Sequence, residues 1–198
     1  MTTSAARVRM SPDDRRGQLL EHGVRLLSTR SLDELSIDLL AEEAGVSRGL
    51  LYHYFGNKQD FHLEVVRRAV ADLVEQTAPP AEGDPLTRLE AGVAAYVDYV
   101  VANYEGYTSL VKSAGGGNEA LRAIYEEARS VLTDRIFLDP EADTLVPDTP
   151  VARMLVRAWS GMVEDLVIDW VRDPRGVSRE EVVGLCVGAL PSLVALCP

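Results

Sequence analysis

The stretch SIDLLAEEAGVSRGLLYHYFGNK at residues 36–58 carries the signals of two short helices joined by a tight turn. Ser36 and Ser47 are each placed to cap a helix, because a serine oxygen can accept a hydrogen bond from a free amide of the first turn. Gly45 lies between the two segments, where glycine adopts left-handed dihedral angles without a Cβ penalty. Ala41 is small enough to let the second helix cross closely over the first. The pattern predicts a helix-turn-helix.

The second predicted helix combines an apolar side with a polar, exposed side. Leu51 and Phe55 are four residues apart and are expected to face the core. Arginine can bond guanine bidentately, whereas tyrosine, serine and lysine suit phosphate oxygens, so the polar side predicts DNA contacts. The candidates are Ser47, Arg48, Tyr52 and His53, with Gly49 permitting close approach and Lys58 at the start of the next helix.

Residues 41–61, AEEAGVSRGLLYHYFGNKQDF, closely resemble the signature of the TetR (tetracycline repressor) family of transcriptional regulators, and the likeness covers about residues 12–62. Its most specific part is the Tyr-x-x-Phe-x-x-Lys tail, which is rare in other helix-turn-helix groups. The resemblance implies base and phosphate contacts from Ser36, Ser47, Arg48, Gly49, Tyr52, His53, Tyr54 and Lys58. One departure is Leu50, where this family usually carries a small or hydroxylated residue. An apolar contact with a thymine methyl group is a candidate replacement there.

Apolar residues recur at helical spacing over almost the whole chain, and no run alternates as a half-buried strand would. Two prolines and a glycine within residues 78–83 interrupt this pattern and mark a joint. We therefore predict an all-α protein in two parts. Residues 1–78 are expected to form a three-helix helix-turn-helix DNA-binding domain with a linking helix. By the resemblance, residues 79–198 are expected to form a helical ligand-binding and dimerisation domain.

Acidic and basic residues are distributed unevenly along the 198-residue chain, whose net charge is −11. Residues 1–78 contain 10 Lys and Arg against 12 Asp and Glu, whereas residues 79–198 contain 10 against 19. The net charge argues against indiscriminate nucleic-acid binding, so DNA affinity must come from a local basic face. Four arginines that precede or open the first helix fit either an arm reaching along the DNA or a solvated tail. They are Arg7, Arg9, Arg15 and Arg16.

The sequence lacks the residues that several other functional classes require. No histidine lies beyond residue 62 and no motif presents paired carboxylates, so a helical enzyme is disfavoured. Cys186 and Cys197 have no histidine nearby, which favours two buried thiols over a zinc site or a redox pair. Residues 182–198 carry no charge, but their 17 residues fall short of a membrane span, which favours a buried or dimer-forming helix over a tail anchor. We therefore expect a cytoplasmic protein with no signal peptide, cofactor, metal or membrane partner.

The resemblance implies that the C-terminal part binds a small-molecule effector. Aromatic and sulfur-containing side chains suit a pocket for an apolar or flat ligand, although each of them also suits ordinary packing. The candidate ligand-binding residues are Tyr96, Tyr99, Tyr107, Tyr125, Trp159 and Met162. Glu164 interrupts the apolar stripe of a long predicted helix. A buried carboxylate there would suit a cationic ligand or Arg157, but a solvent-facing carboxylate is favoured.

The last two predicted helices, roughly 150–172 and 178–196, carry more apolar residues than one helix face requires. Surplus apolar surface usually meets a partner, so we predict a homodimer that pairs these helices in a four-helix seam. A symmetric dimer reads palindromic DNA. The leading hypothesis is a ligand-released repressor that binds a palindromic double-stranded DNA operator. The alternative is a dimeric small-molecule-binding or interaction module that does not read DNA.

Overall fold

The computed structural model describes residues 11–138 and 145–196. The predictions made for Arg7, Arg9 and Cys197 concern residues outside these ranges. Every regular element of the described residues is helical, which confirms the all-α prediction. The α-helices are α1 (Pro12–Thr29), α2 (Ile37–Ala44), α3 (Arg48–Phe55), α4 (Lys58–Gln76), α5 (Pro85–Ala102), α6 (Tyr104–Gly115), α7 (Glu119–Asp134), α8 (Pro150–Arg172) and α9 (Arg179–Val194). A short 3₁₀ helix, Arg135–Phe137, follows α7 directly.

Most of these helices begin at a short polar side chain that accepts a hydrogen bond from the first turn. The capping residues are Ser11, Ser36, Ser47, Asn57, Asp84, Asn118, Thr149 and Ser178. A capping box is present at the start of α9, because Ser178 Oγ accepts from Glu181 N and the Glu181 carboxylate accepts from Ser178 N. Local sequence therefore sets where most of the helices start.

One core cluster joins α1 to α4 and extends into α7. Leu19, Leu51 and Phe61 are fully buried within it, and they belong to α1, α3 and α4 respectively. Leu121 and Ile124 of α7 are buried in the same cluster. The helix-turn-helix is therefore supported from behind by a helix that lies more than sixty residues further along the chain.

Helix α6 crosses α1 at very close range. Gly106 is buried at the crossing, and a Cβ atom there would lie 2.7 Å from Leu27 Cγ and closer still to the Leu27 carbonyl oxygen. Such distances exclude any larger residue unless the two helices separate. One turn further along α6, Ser109 Oγ accepts a hydrogen bond of 2.9 Å from Leu32 N, in the segment that leads from α1 to α2. Helix α6 is thus attached directly to the N-terminal helices.

A second core cluster is formed mainly by α5, α8 and α9. Trp159 Nε1 donates to the carbonyl oxygen of Cys186 at 2.8 Å, which joins α8 to α9. Arg179 holds Asp98 through two 2.6 Å contacts, which joins α9 to α5. Burial raises the pKa of the Cys186 thiol to about 11. Among the described residues, no helix is both long enough and apolar enough to cross a membrane.

Candidate functional site

The turn between α2 and α3 has the geometry that the sequence predicts. Ser36 Oγ accepts from Leu39 N at 3.1 Å, and Ser47 Oγ accepts from Leu50 N at 3.3 Å. Gly45 ends α2 with φ +62° and ψ +38°, the left-handed region that favours glycine. The turn thereby orients α3 across α2 with its first residues pointing away from the body.

Helix α3 buries one side and exposes the other. Leu51 and Phe55 are almost completely buried, as predicted. The exposed side chains near them form a single surface with Lys58, the first residue of α4. We call this surface the recognition face and define it by Ser47, Arg48, Gly49, Tyr52, His53 and Lys58, all of which are exposed.

Two of the predicted DNA-binding residues lie off the recognition face. Tyr54 is half-buried, packs against the N-terminal core cluster and meets His53 edge-to-face at 5.5 Å between ring centroids. Ser36 is half-buried, and its hydroxyl oxygen already caps α2. Leu50, the residue that departs from the family pattern, is also half-buried, so only part of its side chain reaches solvent.

Arginines near the recognition face have carboxylate partners in the free protein. Arg48 Nε lies 2.5 Å from Asp38 Oδ1. Arg16 lies 2.5 Å from Glu64 and has its guanidinium carbon 5.7 Å from the centroid of the Phe55 ring. Because α1 begins at Pro12, Arg16 belongs to a helix and not to an extended arm.

A cavity of about 180 Å³ lies among α4, α5, α6, α7 and α8. Four of the predicted ligand-binding residues line it: Tyr96, Tyr107, Tyr125 and Trp159. Tyr99 does not, because its hydroxyl donates to the carbonyl oxygen of Ala69 at 2.8 Å and its side chain lines a smaller cavity among α1, α4, α5 and α6. Met162 is exposed on the surface of α8.

Glu164 lines the larger cavity, which corrects the expectation that its carboxylate faces solvent. Tyr107 Oη donates to Glu164 Oε2 at 2.8 Å, and Tyr125 Oη donates to Oε1 at 2.7 Å. Tyr96 Oη lies 2.7 Å from Tyr107 Oη and therefore acts as the donor to it. Arg157, the partner considered from sequence, pairs with Glu126 instead. We call Tyr96, Tyr107, Tyr125 and Glu164 the tyrosine–glutamate cluster.

The orientation of Glu164 follows from its place on α8. Val163 and Trp159 are buried on that helix, and Ser160 lies one turn before Glu164. Residues four apart share a helix face, so Ser160 and Glu164 both face α7. Arg129 of α7 confirms this orientation, since its Nε donates to Ser160 Oγ at 3.0 Å.

The tyrosine hydroxyls of the cluster stay protonated at neutral pH. Burial raises the pKa of Tyr96 and Tyr107 well above the ordinary value. Burial and the neighbouring Glu164 carboxylate raise the pKa of Tyr125 to about 12. All three hydroxyls can therefore act as hydrogen-bond donors inside the cavity.

Three arginines also line the cavity, and sequence reasoning did not select them. Arg129 donates to the carbonyl oxygen of Arg157 at 2.8 Å, and Arg135 donates to Val74 O and to Thr77 Oγ1 at the end of α4. Arg88 Nε donates to Pro80 O at 2.9 Å. The sequence could not identify these arginines as cavity residues. The carbonyls and hydroxyls that accept their hydrogen bonds come close to them only when the chain folds. Among the described residues, no cluster of side chains has the composition of a metal site.

Comparison with known proteins supports both the N-terminal helix-turn-helix part and the C-terminal helical part. Residues 19–65 match the family model described as "Bacterial regulatory proteins, tetR family", and residues 85–189 match "Tetracyclin repressor-like, C-terminal domain". The chain is 27% identical over 181 residues to the HTH-type transcriptional activator FasR of Mycolicibacterium smegmatis, covering 88% of this chain and 80% of that protein. It is 29% identical over 189 residues to the HTH-type transcriptional regulator EthR of the same organism, covering 88% and 83%.

A solved structure agrees with the sequence relatives. The tetR-family transcriptional regulator from Streptomyces coelicolor superposes with a TM-score of 0.84 at 29% identity, covering 94% of this chain and 83% of that one. The matching families and relatives are transcriptional regulators and not enzymes. Regulators of this family bind DNA operators and small-molecule effectors and act as dimers. Because the C-terminal family model alone spans more than half of the sequence, the chain belongs to the TetR family and is a DNA-binding transcriptional regulator.

Proposed function

We propose that this regulator is a repressor that binds a palindromic operator as a homodimer and is released by a ligand in the larger cavity. Residues 1–78 form the DNA-binding domain with its linking helix, and residues 79–198 form the ligand-binding and dimerisation domain. The observation that carries the proposal is the exposed recognition face on α3, together with the surplus apolar surface of α8 and α9. Such a regulator acts in the cytoplasm, where bacterial DNA is found.

Direct contacts to DNA are assigned to the recognition face. Arg48 reads a base edge, because it is the first residue of α3 and recognition helices contact bases with their N-terminal residues. Tyr52, with half of its side-chain surface exposed, and Lys58 contact phosphates. Ser36 and Tyr54 are assigned a supporting part, because one caps α2 and the other packs partly against the core.

The homodimer is assigned to α8 and α9, as their exposed side chains support. Met154 of α8 has 73% of its surface exposed, and Leu185 of α9 has 59% exposed. Gly184 and Gly188, which are also exposed on α9, would let the backbone of a second copy approach closely. Two such helix pairs related by a two-fold axis make a four-helix seam.

Helix α6 provides a direct connection between the cavity and the DNA-binding helices. Tyr107 donates to Glu164 in the cavity, and the adjacent Gly106 packs against Leu27 of α1. Helix α4, the linking helix of residues 1–78, also lines the cavity through Leu73 and Thr77. A ligand that displaces Tyr107 would move α6 and α1 together and change the separation of the two recognition faces. Release requires only that the ligand bind the two arrangements with different affinities.

The test is an electrophoretic mobility-shift assay with DNA from around the protein's own gene. A shift at low salt that is lost on Arg48→Ala is the expected result. If no nearby palindrome is shifted, the protein is instead a ligand-binding or interaction module that does not read DNA.

Activation of transcription is a second candidate function, because the relative FasR is named an activator. A promoter fusion with and without the regulator distinguishes the two, since a repressor lowers expression and an activator raises it.

A further inference from the structure

Glu164 is the only carboxylate among the described residues that line the larger cavity. It has no cationic partner within 4 Å among the described side chains. Its two oxygens each accept one hydrogen bond from a tyrosine, whereas a carboxylate offers about four acceptor positions. Each oxygen therefore keeps an acceptor position for a donor that enters the cavity.

The arginines of the cavity wall do not offer an equivalent site to an anion. Arg129 and Arg135 direct their guanidinium groups at backbone carbonyls and hydroxyls, where they join α7 to α8 and to the end of α4. Arg88 also donates to a backbone carbonyl, at Pro80. Among the described residues, the cavity thus holds its positive groups in structural contacts, while its negative group, Glu164, is bonded only to neutral hydroxyls that can rotate.

The rest of the lining suits an apolar molecule with a positive end. Leu110, Val111, Leu132 and Ile136 supply aliphatic walls. The aromatic rings of the tyrosine–glutamate cluster and of Trp159 line the same cavity as Glu164, and aromatic faces attract cations. A half-buried carboxylate without a cation gains an ion pair and a hydrogen bond when an ammonium group arrives, whereas it repels a ligand carboxylate.

We propose that the cavity binds a protonated amine carried on an apolar body, with the ammonium group donating hydrogen bonds to Glu164. This inference rests on the proposed role of the cavity as the effector pocket. It adds the chemical class of the effector, which neither the fold nor the family determines.

The test compares probes of equal length that differ only in their polar end. n-Octylamine, n-octanol and n-octanoate are titrated into the full-length protein without DNA, and binding is followed by calorimetry and by tryptophan fluorescence, to which Trp159 in the cavity wall and Trp170 both contribute. Octylamine is expected to bind about tenfold more tightly than octanol, because its ammonium group forms an ion pair as well as a hydrogen bond with Glu164, whereas the hydroxyl group of octanol forms only the hydrogen bond. Octanoate is expected to bind most weakly.

Two isosteric variants localise the effect. Glu164→Gln removes the charge in the cavity and should abolish the preference for octylamine while octanol still binds. Glu126→Gln makes the same change on α7 outside the cavity lining and should keep the preference. Octanoate binding at least as tightly as octylamine would overturn the inference, and so would a Glu164→Gln protein that keeps the full preference. If Glu164→Gln does not fold, the ranking of the three probes on the unaltered protein decides.

Operator binding is measured separately on the same preparations. A failure to shift any operator contradicts the proposed function and leaves the ranking of the probes unaffected. An operator shift together with a preference for octanoate contradicts only the chemical class of the effector. The two proposals therefore fail in distinguishable ways.

Discussion

Arg48 Nε lies 2.5 Å from Asp38 Oδ1, so the first residue of α3 is paired with the second residue of α2 on the exposed side of the turn. Both side chains are more than half exposed, and such pairs contribute only about 0–1 kcal/mol to stability. We instead expect the pair to affect DNA binding, because an Arg48 that contacts a base must either give up the Asp38 carboxylate or hold both partners.

The first prediction concerns Arg48 itself. Arg48→Ala should weaken binding to the specific operator by roughly 1–3 kcal/mol and relax discrimination at one base position. The physical reason is the loss of a bidentate contact to a base edge. Fluorescence anisotropy on the operator and on single-base variants measures both effects. An equal loss on operator and random DNA would contradict base reading by this residue.

The second prediction concerns Asp38. Asp38→Asn removes a negative charge from the exposed side of the turn and releases Arg48 from its partner. Affinity for random DNA should rise, and the ratio of operator to random affinity should fall because the guanidinium group is no longer held in one orientation. The same anisotropy measurement on the two DNAs tests this. Unchanged affinity for random DNA would show that Asp38 lies away from the bound duplex.

The third prediction concerns Lys58, the first residue of α4. Lys58→Ala should weaken operator and random DNA alike and reduce the slope of log affinity against log salt by about one. Arg122→Ala is the matched control, because it removes one exposed positive charge from α7 in the C-terminal part. If both variants change the slope equally, Lys58 is not a phosphate contact.

The fourth prediction concerns the dimer. Leu185→Glu places a charge on the apolar surface of α9 and should convert the homodimer to monomers in light-scattering measurements at micromolar protein. Val101→Glu is the control, because Val101 is 49% exposed on α5, outside the proposed seam. A Leu185→Glu protein that stays dimeric would require a different interface.

The fifth prediction concerns the crossing of α1 and α6. Gly106→Ala should destabilise the protein by about 1–3 kcal/mol, because the added methyl group overlaps Leu27 and forces the helices apart. Gly17→Ala in α1 meets no atom within 4 Å and should stabilise it by about 0.5–1 kcal/mol through helix propensity. Urea unfolding of both variants provides the comparison. Equal stabilities would mean that the crossing adapts without strain.

The sequence predicted the helix-turn-helix well because its signals are local. Ser36, Gly45 and Ser47 act within three or four residues of their own positions, so their bonds follow from spacing alone. The inward orientation of Leu51 and Phe55 follows from helical periodicity in the same way. These features also define where the recognition face lies.

The cavity was only partly predictable, because its members come from different helices. Glu164 receives hydrogen bonds from residues 57 and 39 positions away, and no local pattern distinguishes that environment from solvent. Tyr99 and Met162 were predicted to bind ligand from their residue type alone. Their side chains lie outside the larger cavity. Aromatic content indicated a cavity, and only the packing of five helices determines which aromatic residues enter it.

The adjacency of Gly106 and Tyr107 on α6 also bears on how ligand preference can evolve. Successive residues of an α-helix project about 100° apart, so one short helix contacts α1 with one residue and the cavity with the next. Substitutions at Tyr107 are therefore expected to alter ligand choice and operator affinity together. Glu164 lies on α8, which contributes no described residue to the N-terminal core cluster, and descendants with new ligands but unchanged operators should differ first at this position.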